Sequence, residues 1–399
     1  RPPFRLLQSS SSFCSFKMTG ASSASSRFGM MLLPTALLAV TAIFYWLYKK
    51  FREPAYKPGM VAKLVEEEEK EKETPSSSAS FDNPELYAKS TESTWAMPDG
   101  MELYHFPVAT TTPTTATTTT SDNNNNNNNT PILAIHGGPA IAPPEPWNLC
   151  KSFPNTMYLY HARGCGKSTR PFVKFPTPGR MWPGMKILEE TLGIGAQVAD
   201  IERIRRRLLP NTKNHHHHHA ERLDIVGHSF GGFLAAMYAA EFPHRVRSLT
   251  LLVPAAVLRL PAKDGDQDLF ETVKEKIKAR GNVQHLEEYE AFMKRYMDFG
   301  SLPNETDETL AERQAGFAVH YYRANCDDDD ENEAKTVDPA WIGGMACYAT
   351  FMSMGMEHDY GPVCRERLAQ STFPVSIVHG SEDMISESTS RKYVDLFPP

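Results

Sequence analysis

The sequence is poor in cysteine and carries little net charge, and both absences exclude function classes. Six cysteines are scattered over 399 residues, at 14, 150, 165, 326, 347 and 364. None forms a C-x-x-C pair, so neither a structural zinc site nor a dithiol redox motif is indicated, and buried free thiols are expected. The formal net charge is −6, which gives a polyanionic nucleic acid no electrostatic purchase. No motif calls for a metal or an organic cofactor, so none is expected. Two further absences concern the ends. The chain opens on Arg1 rather than methionine, and no histidine follows Asp383 in the last 16 residues. Both read as signs of a fragment.

What is present divides the chain. Residues 1–29 form a serine-rich leader without an acidic residue, and 30–48 form an uncharged, mostly apolar run. At about 1.5 Å per residue that run just reaches across a ~30 Å hydrocarbon core. Tyr45, Trp46 and Tyr48 sit at its end as interface aromatics would, followed by Lys49, Lys50 and Arg52. A single membrane anchor through 30–48 is expected, with the downstream domain cytoplasmic by the positive-inside rule. A cleaved leader to the secretory pathway or an organelle is the alternative. Residues 49–94 read as a charged, serine-rich linker. Thr- and Asn-rich sequence over 110–129, the run His215 to His219 and the run Asp327 to Asp330 read as loop expansions, which cost little closure entropy.

With the inserts set aside, short apolar runs alternate with helical periodicity. Strands are expected at 103–108, 132–135, 157–160, 223–226, 249–253 and 375–378, and helices at 195–209, 231–241 and 386–396. That order predicts a mostly parallel sheet with helices on both faces. About 120 residues of helical pattern separate the last two strands, which predicts an inserted cap. The expected organisation is a core over 95–254, a cap over 255–370 and a second part of the core over 371–399.

The chemistry centres on Gly227-His228-Ser229-Phe230-Gly231. This G-x-S-x-G lies directly between an apolar strand and a helix, the context of a nucleophile elbow. It predicts an α/β-hydrolase fold with Ser229 as nucleophile. Backbone N–H donors must meet the oxyanion that develops during acyl transfer. Phe230, at the helix N-terminus, is expected to supply one. Gly138, in His136-Gly137-Gly138-Pro139 after the second strand, is expected to supply the other; a plain tight turn is the alternative for these glycines. Asp383, in His379-Gly380-Ser381-Glu382-Asp383, is the expected acid, with Glu382 the alternative. His228 reads as scaffold, and His379 sits at a strand end beneath the acid. The histidine base of the triad is therefore not in these 399 residues, and the chain as it stands is expected to be nearly inert.

Four motifs together resemble the proline iminopeptidase family of α/β-hydrolases. They are His136-Gly137-Gly138-Pro139-Ala140, His161-Ala162-Arg163-Gly164-Cys165-Gly166-Lys167-Ser168, the elbow from Gly227 to Gly232, and His379 to Asp383. The resemblance implies a serine peptidase that removes an amino-terminal residue, often proline, from peptides. It also implies cap carboxylates that read the free amine. Phe317-Ala318-Val319-His320-Tyr321-Tyr322 is similar to the family's cap segment, but Ala318 stands where a glutamate is expected. Glu357 is the candidate substitute for substrate binding. Ala140 and His161 depart from the family's glycine and aspartate. A carboxylesterase or lipase-like hydrolase acting on a small ester, and a non-catalytic protein of the same fold, remain the alternatives. The segment Gly164 to Ser168 lacks the glycine at 161 that a phosphate loop needs.

Overall fold

A computed structural model describes residues 56–64, 93–108, 130–143, 156–209, 222–256, 269–325, 338–355 and 360–398. The chain divides into two compact units, Arg1–Glu53 and Pro54–Pro399, and all described residues belong to the second. The apolar run 30–48, the Thr/Asn-rich and His-rich tracts, the acidic run at 327–330 and Glu357 lie outside the described residues. Among the described residues, no helix is long and apolar enough to cross a membrane.

Among the described residues, seven strands form one sheet. In chain order they are β1 Thr94–Ala96, β2 Glu102–Val108, β3 Ile132–Ile135, β4 Met157–Tyr160, β5 Leu223–His228, β6 Val246–Leu252 and β7 Val375–Val378. Their spatial order is β1-β2-β4-β3-β5-β6-β7. The β1–β2 and β2–β4 pairs are antiparallel, and every pair from β4 across to β7 is parallel. Helices cover a parallel sheet on both faces, so its central strands read as unbroken apolar runs. Accordingly, all four residues of β3 are buried, as are the first five of β5.

The helices are α1 Met181–Leu192, α2 Ile194–Leu208, α3 Phe230–Glu241, α4 Leu269–Ala279, α5 Val283–Tyr296, α6 Asp307–Asn325, α7 Gly344–Gly355, α8 Gly361–Leu368 and α9 Glu387–Val394. Helix α3 follows the central strand, and all twelve of its residues are buried. Its small residues, Gly231, Gly232, Ala235, Ala236, Ala239 and Ala240, allow that close seat. At its far end the buried carboxylate of Glu241 accepts hydrogen bonds from Tyr56 Oη at 2.8 Å, Gly59 N at 2.5 Å and Ala62 N at 3.1 Å. The segment 56–64 is thereby fastened to α3. Helices α4 to α7 lie between β6 and β7. Val273, Ile277, Tyr289, Tyr296, Phe317 and Ala324 of this insertion form their own apolar cluster, whereas Met345 to Ala349 of α7 pack into the main core.

The structure alters two sequence expectations. The helix expected at 195–209 is the second of a pair. Gly193 interrupts the run, and α1 precedes it with Gly184, Met185, Leu188 and Leu192 buried. Strand β6 begins three residues before the expected start, because Val246 pairs with Leu223.

Candidate active site

Strand β5 delivers Ser229 into the turn that opens α3. Ser229 has φ 52° and ψ −121°, a left-handed backbone that costs any residue with a Cβ about 1–3 kcal/mol. Neighbouring backbone holds it there. Its N–H donates to Leu252 O at 2.9 Å, and its carbonyl accepts from Gly232 N and Ala255 N, each at 2.9 Å. Leu252 ends β6, so the adjacent strand clamps the elbow. The motif glycines are forced by close approach. A Cβ on Gly227 would lie 2.5 Å from Gly231 O, and one on Gly231 would lie 2.2 Å from Ile135 O.

The His136–Pro139 loop leaves β3 on one side of the serine. A Cβ on Gly137 would lie 2.7 Å from Ser229 Cβ and 2.8 Å from His228 Nδ1, so this backbone rests directly against the elbow. Gly138 has φ 68° and Ala140 φ 54°, and Ile141 N donates to Gly138 O at 3.3 Å. The loop is thus a tight turn and also a neighbour of Ser229. Phe230, the first residue of α3, carries one of the N–H groups that have no acceptor within the helix. Beside the loop lies a small cavity of about 20 Å³, lined by His136, Gly138, Tyr160, Gln197 and Phe230 among others. That is room for one water.

Asp383 follows β7 at the same edge of the sheet. It is half-buried while Glu382 is exposed. The Asp383 carboxylate accepts from Ile385 N at 2.9 Å, and its own N–H donates to Gly380 O at 3.1 Å. Burial lowers the His228 pKa, and the charge of Asp383 counteracts that shift. Burial raises the Tyr321 pKa, and Asp383 raises it further. Asp383 therefore acts electrostatically on both the elbow and α6. His379 is tied to Ser390 Oγ at 3.1 Å. The neighbouring Met384 packs into the apolar cluster of the insertion.

Two features escaped the sequence reading. Arg163 is fully buried and makes a forked pair with Asp200, at 2.7 and 2.5 Å, and also reaches Asp99 at 3.0 Å and Thr191 O at 2.7 Å. This network holds the loop after β4. His161 is buried beside Tyr104 and Trp341, with ring centroids 4.8 and 5.4 Å away. Burial, with the nearby Lys167 charge, lowers it to about 4, and its Nδ1 accepts the Lys167 N–H at 3.0 Å. Here a neutral ring does a backbone-tying task. His320 of the cap segment lies against Tyr289 and Phe292, and burial lowers it too to about 4. Among the described residues, no three metal-ligating side chains gather at one point.

A family model for the alpha/beta hydrolase fold matches residues 130–398. No curated protein matches the sequence. Solved structures similar to this chain include proline iminopeptidase from Mycobacterium smegmatis, at 18% identity and TM-score 0.42, covering 75% of this chain and 84% of that one. Bromoperoxidase from Bacillus anthracis is similar at 16% identity and TM-score 0.42, with 75% and 84% covered. A thermophilic esterase from Thermogutta terrifontis is similar at 16% identity and TM-score 0.40, with 77% and 85% covered. The family match spans both the elbow at Ser229 and the loop of Asp383, and the chain belongs to the alpha/beta hydrolase fold family.

Proposed function

We propose that this protein is a serine hydrolase of the aminopeptidase type, removing an amino-terminal residue, often proline, through an acyl-enzyme. The observation that carries the reading is the left-handed Ser229 at the start of α3 with the Gly137 backbone packed against it. A strained nucleophile and adjacent backbone N–H groups are what acyl transfer needs. Ser229 Oγ attacks the scissile carbonyl. The N–H groups of Phe230 and Gly138 stabilise the oxyanion, and the dipole of α3 adds to this. Asp383 orients the imidazole that takes the serine proton and stabilises its protonated form. That imidazole is absent from the 16 residues after Asp383. The reading therefore assigns this chain the nucleophile, acid and oxyanion donors. The four-motif resemblance supports the peptide substrate, and Glu357 is the amine-reading carboxylate in this proposal.

A second reading, a carboxylesterase acting on an apolar ester, is favoured by one observation: Ala318 stands where the peptidase pattern has a glutamate. Membrane attachment through 30–48, with the hydrolase unit on the cytoplasmic face, is retained as part of the proposal. The test compares prolyl p-nitroanilide with p-nitrophenyl acetate, for the protein and Ser229→Ala, with and without added imidazole. The expected result is Ser229-dependent release that free imidazole increases, with the prolyl amide preferred. Preference for the ester selects the second reading. Equal rates for the protein and Ser229→Ala in every condition refute both.

A further inference from the structure

We infer that the segment 341–343, which leads into α7 of the helical insertion, is the positioning element of the oxyanion loop, and that Arg170 and Asp307 hold it in place. The inference rests on the proposed role of the loop at Gly138. From within, the loop is tied by His136 Nδ1 to Gly137 O at 2.7 Å and by Ile141 N to Gly138 O at 3.3 Å, and Ala140 has a positive φ without being glycine. The ties on its 140–142 end come from outside. Ile141 and Ile342 form an isolated antiparallel bridge. Ala142 N donates to Trp341 O at 2.9 Å, and Gly343 N donates to Ala140 O at 2.8 Å. The carbonyl of the strained Ala140 is thus held by a residue some 200 positions away in sequence, and Ile342 is fully buried.

The clamp is gripped on its other side. A Cβ on Gly343 would lie 2.0 Å from Gly164 O and 3.1 Å from Cys165 Cβ. Gly343 is therefore wedged between the oxyanion loop and the turn that follows Arg163. Arg170 donates to Ala340 O, and to Asp307 Oδ2 at 2.8 Å. Asp307 Oδ1 accepts Met345 N at 2.7 Å. The guanidinium and carboxylate pin 340–345 at both ends, and through it the insertion sets the position of the Gly138 loop. A displaced donor loses strength steeply, and loss of one oxyanion donor costs about 10²–10³ in turnover.

The test uses Arg170→Met and Gly343→Ala in the full chain. Amide exchange is followed in peptides covering 136–143 and 223–234, and imidazole-supplemented hydrolysis of p-nitrophenyl acetate is measured in parallel. Exchange at 136–143 should rise about tenfold in both variants while the elbow peptide stays unchanged, and kcat should fall about tenfold or more with KM nearly constant. Unchanged exchange at 136–143 overturns the inference, as does a loosened loop with undiminished kcat. If the unsubstituted protein shows no Ser229-dependent turnover, the proposed function fails, and exchange at 136–143 alone decides for or against the clamp.

Discussion

Replacing Ser229 by glycine should leave the protein more stable than replacing it by alanine. Both variants lack the hydroxyl, so their difference isolates the backbone. At φ 52° and ψ −121° a residue with a Cβ costs about 1–3 kcal/mol, and glycine is released from most of that. Glycine gains extra freedom in the unfolded chain, worth about 0.4–1 kcal/mol in the opposite direction. The expected net difference is about 1 kcal/mol in favour of Ser229→Gly, roughly a fivefold change in the folding equilibrium. Urea unfolding of both variants at one pH measures it. A glycine variant no more stable than the alanine variant would show that the elbow is not strained, and would remove the main physical argument for Ser229 as an activated nucleophile.

Three further outcomes follow from the same geometry. Gly231→Ala should destabilise the fold by about 1–3 kcal/mol, because its Cβ would meet Ile135 O at 2.2 Å; a midpoint in urea equal to that of the parent would contradict this. Arg163→Met should cost at most about 3–5 kcal/mol, since the buried Asp200 carboxylate loses its forked partner and keeps Arg203 Nη1 at 3.2 Å, and Asp200→Leu in the same background should recover part of the loss. Burial holds His105, His136, His161 and His320 at about 4 in the folded protein, against an ordinary 6.5. The unfolded chain then binds more protons between those values, so this stability is complete above pH 6.5 and declines as pH falls toward 4. Unfolding midpoints at pH 7 and pH 5 check it. His105→Phe, whose ring would keep the stack on Trp95, should lessen the decline, and a midpoint independent of pH would refute the assignment.

Local pattern determined much of this protein. The apolar runs at 132–135 and 223–226, the elbow glycines and the loop at His136 each carry their signal within a few neighbouring residues, so their strand, turn and helix were legible. The preference for Asp383 over Glu382 rested on the same kind of local reading; in the structure Asp383 is half-buried and Glu382 exposed. Tertiary structure decided what depends on distant neighbours. It joined Arg163 to Asp200 and Asp99, and packed His161 between Tyr104 and Trp341. It also bridged Ile141 to Ile342, so that the loop beside Ser229 is held by the insertion. The serine and its turn are written in one short motif, because backbone strain and glycine contacts are local. The loop beside that serine is tied to a segment some 200 residues away, and only folding brings the two within hydrogen-bond reach.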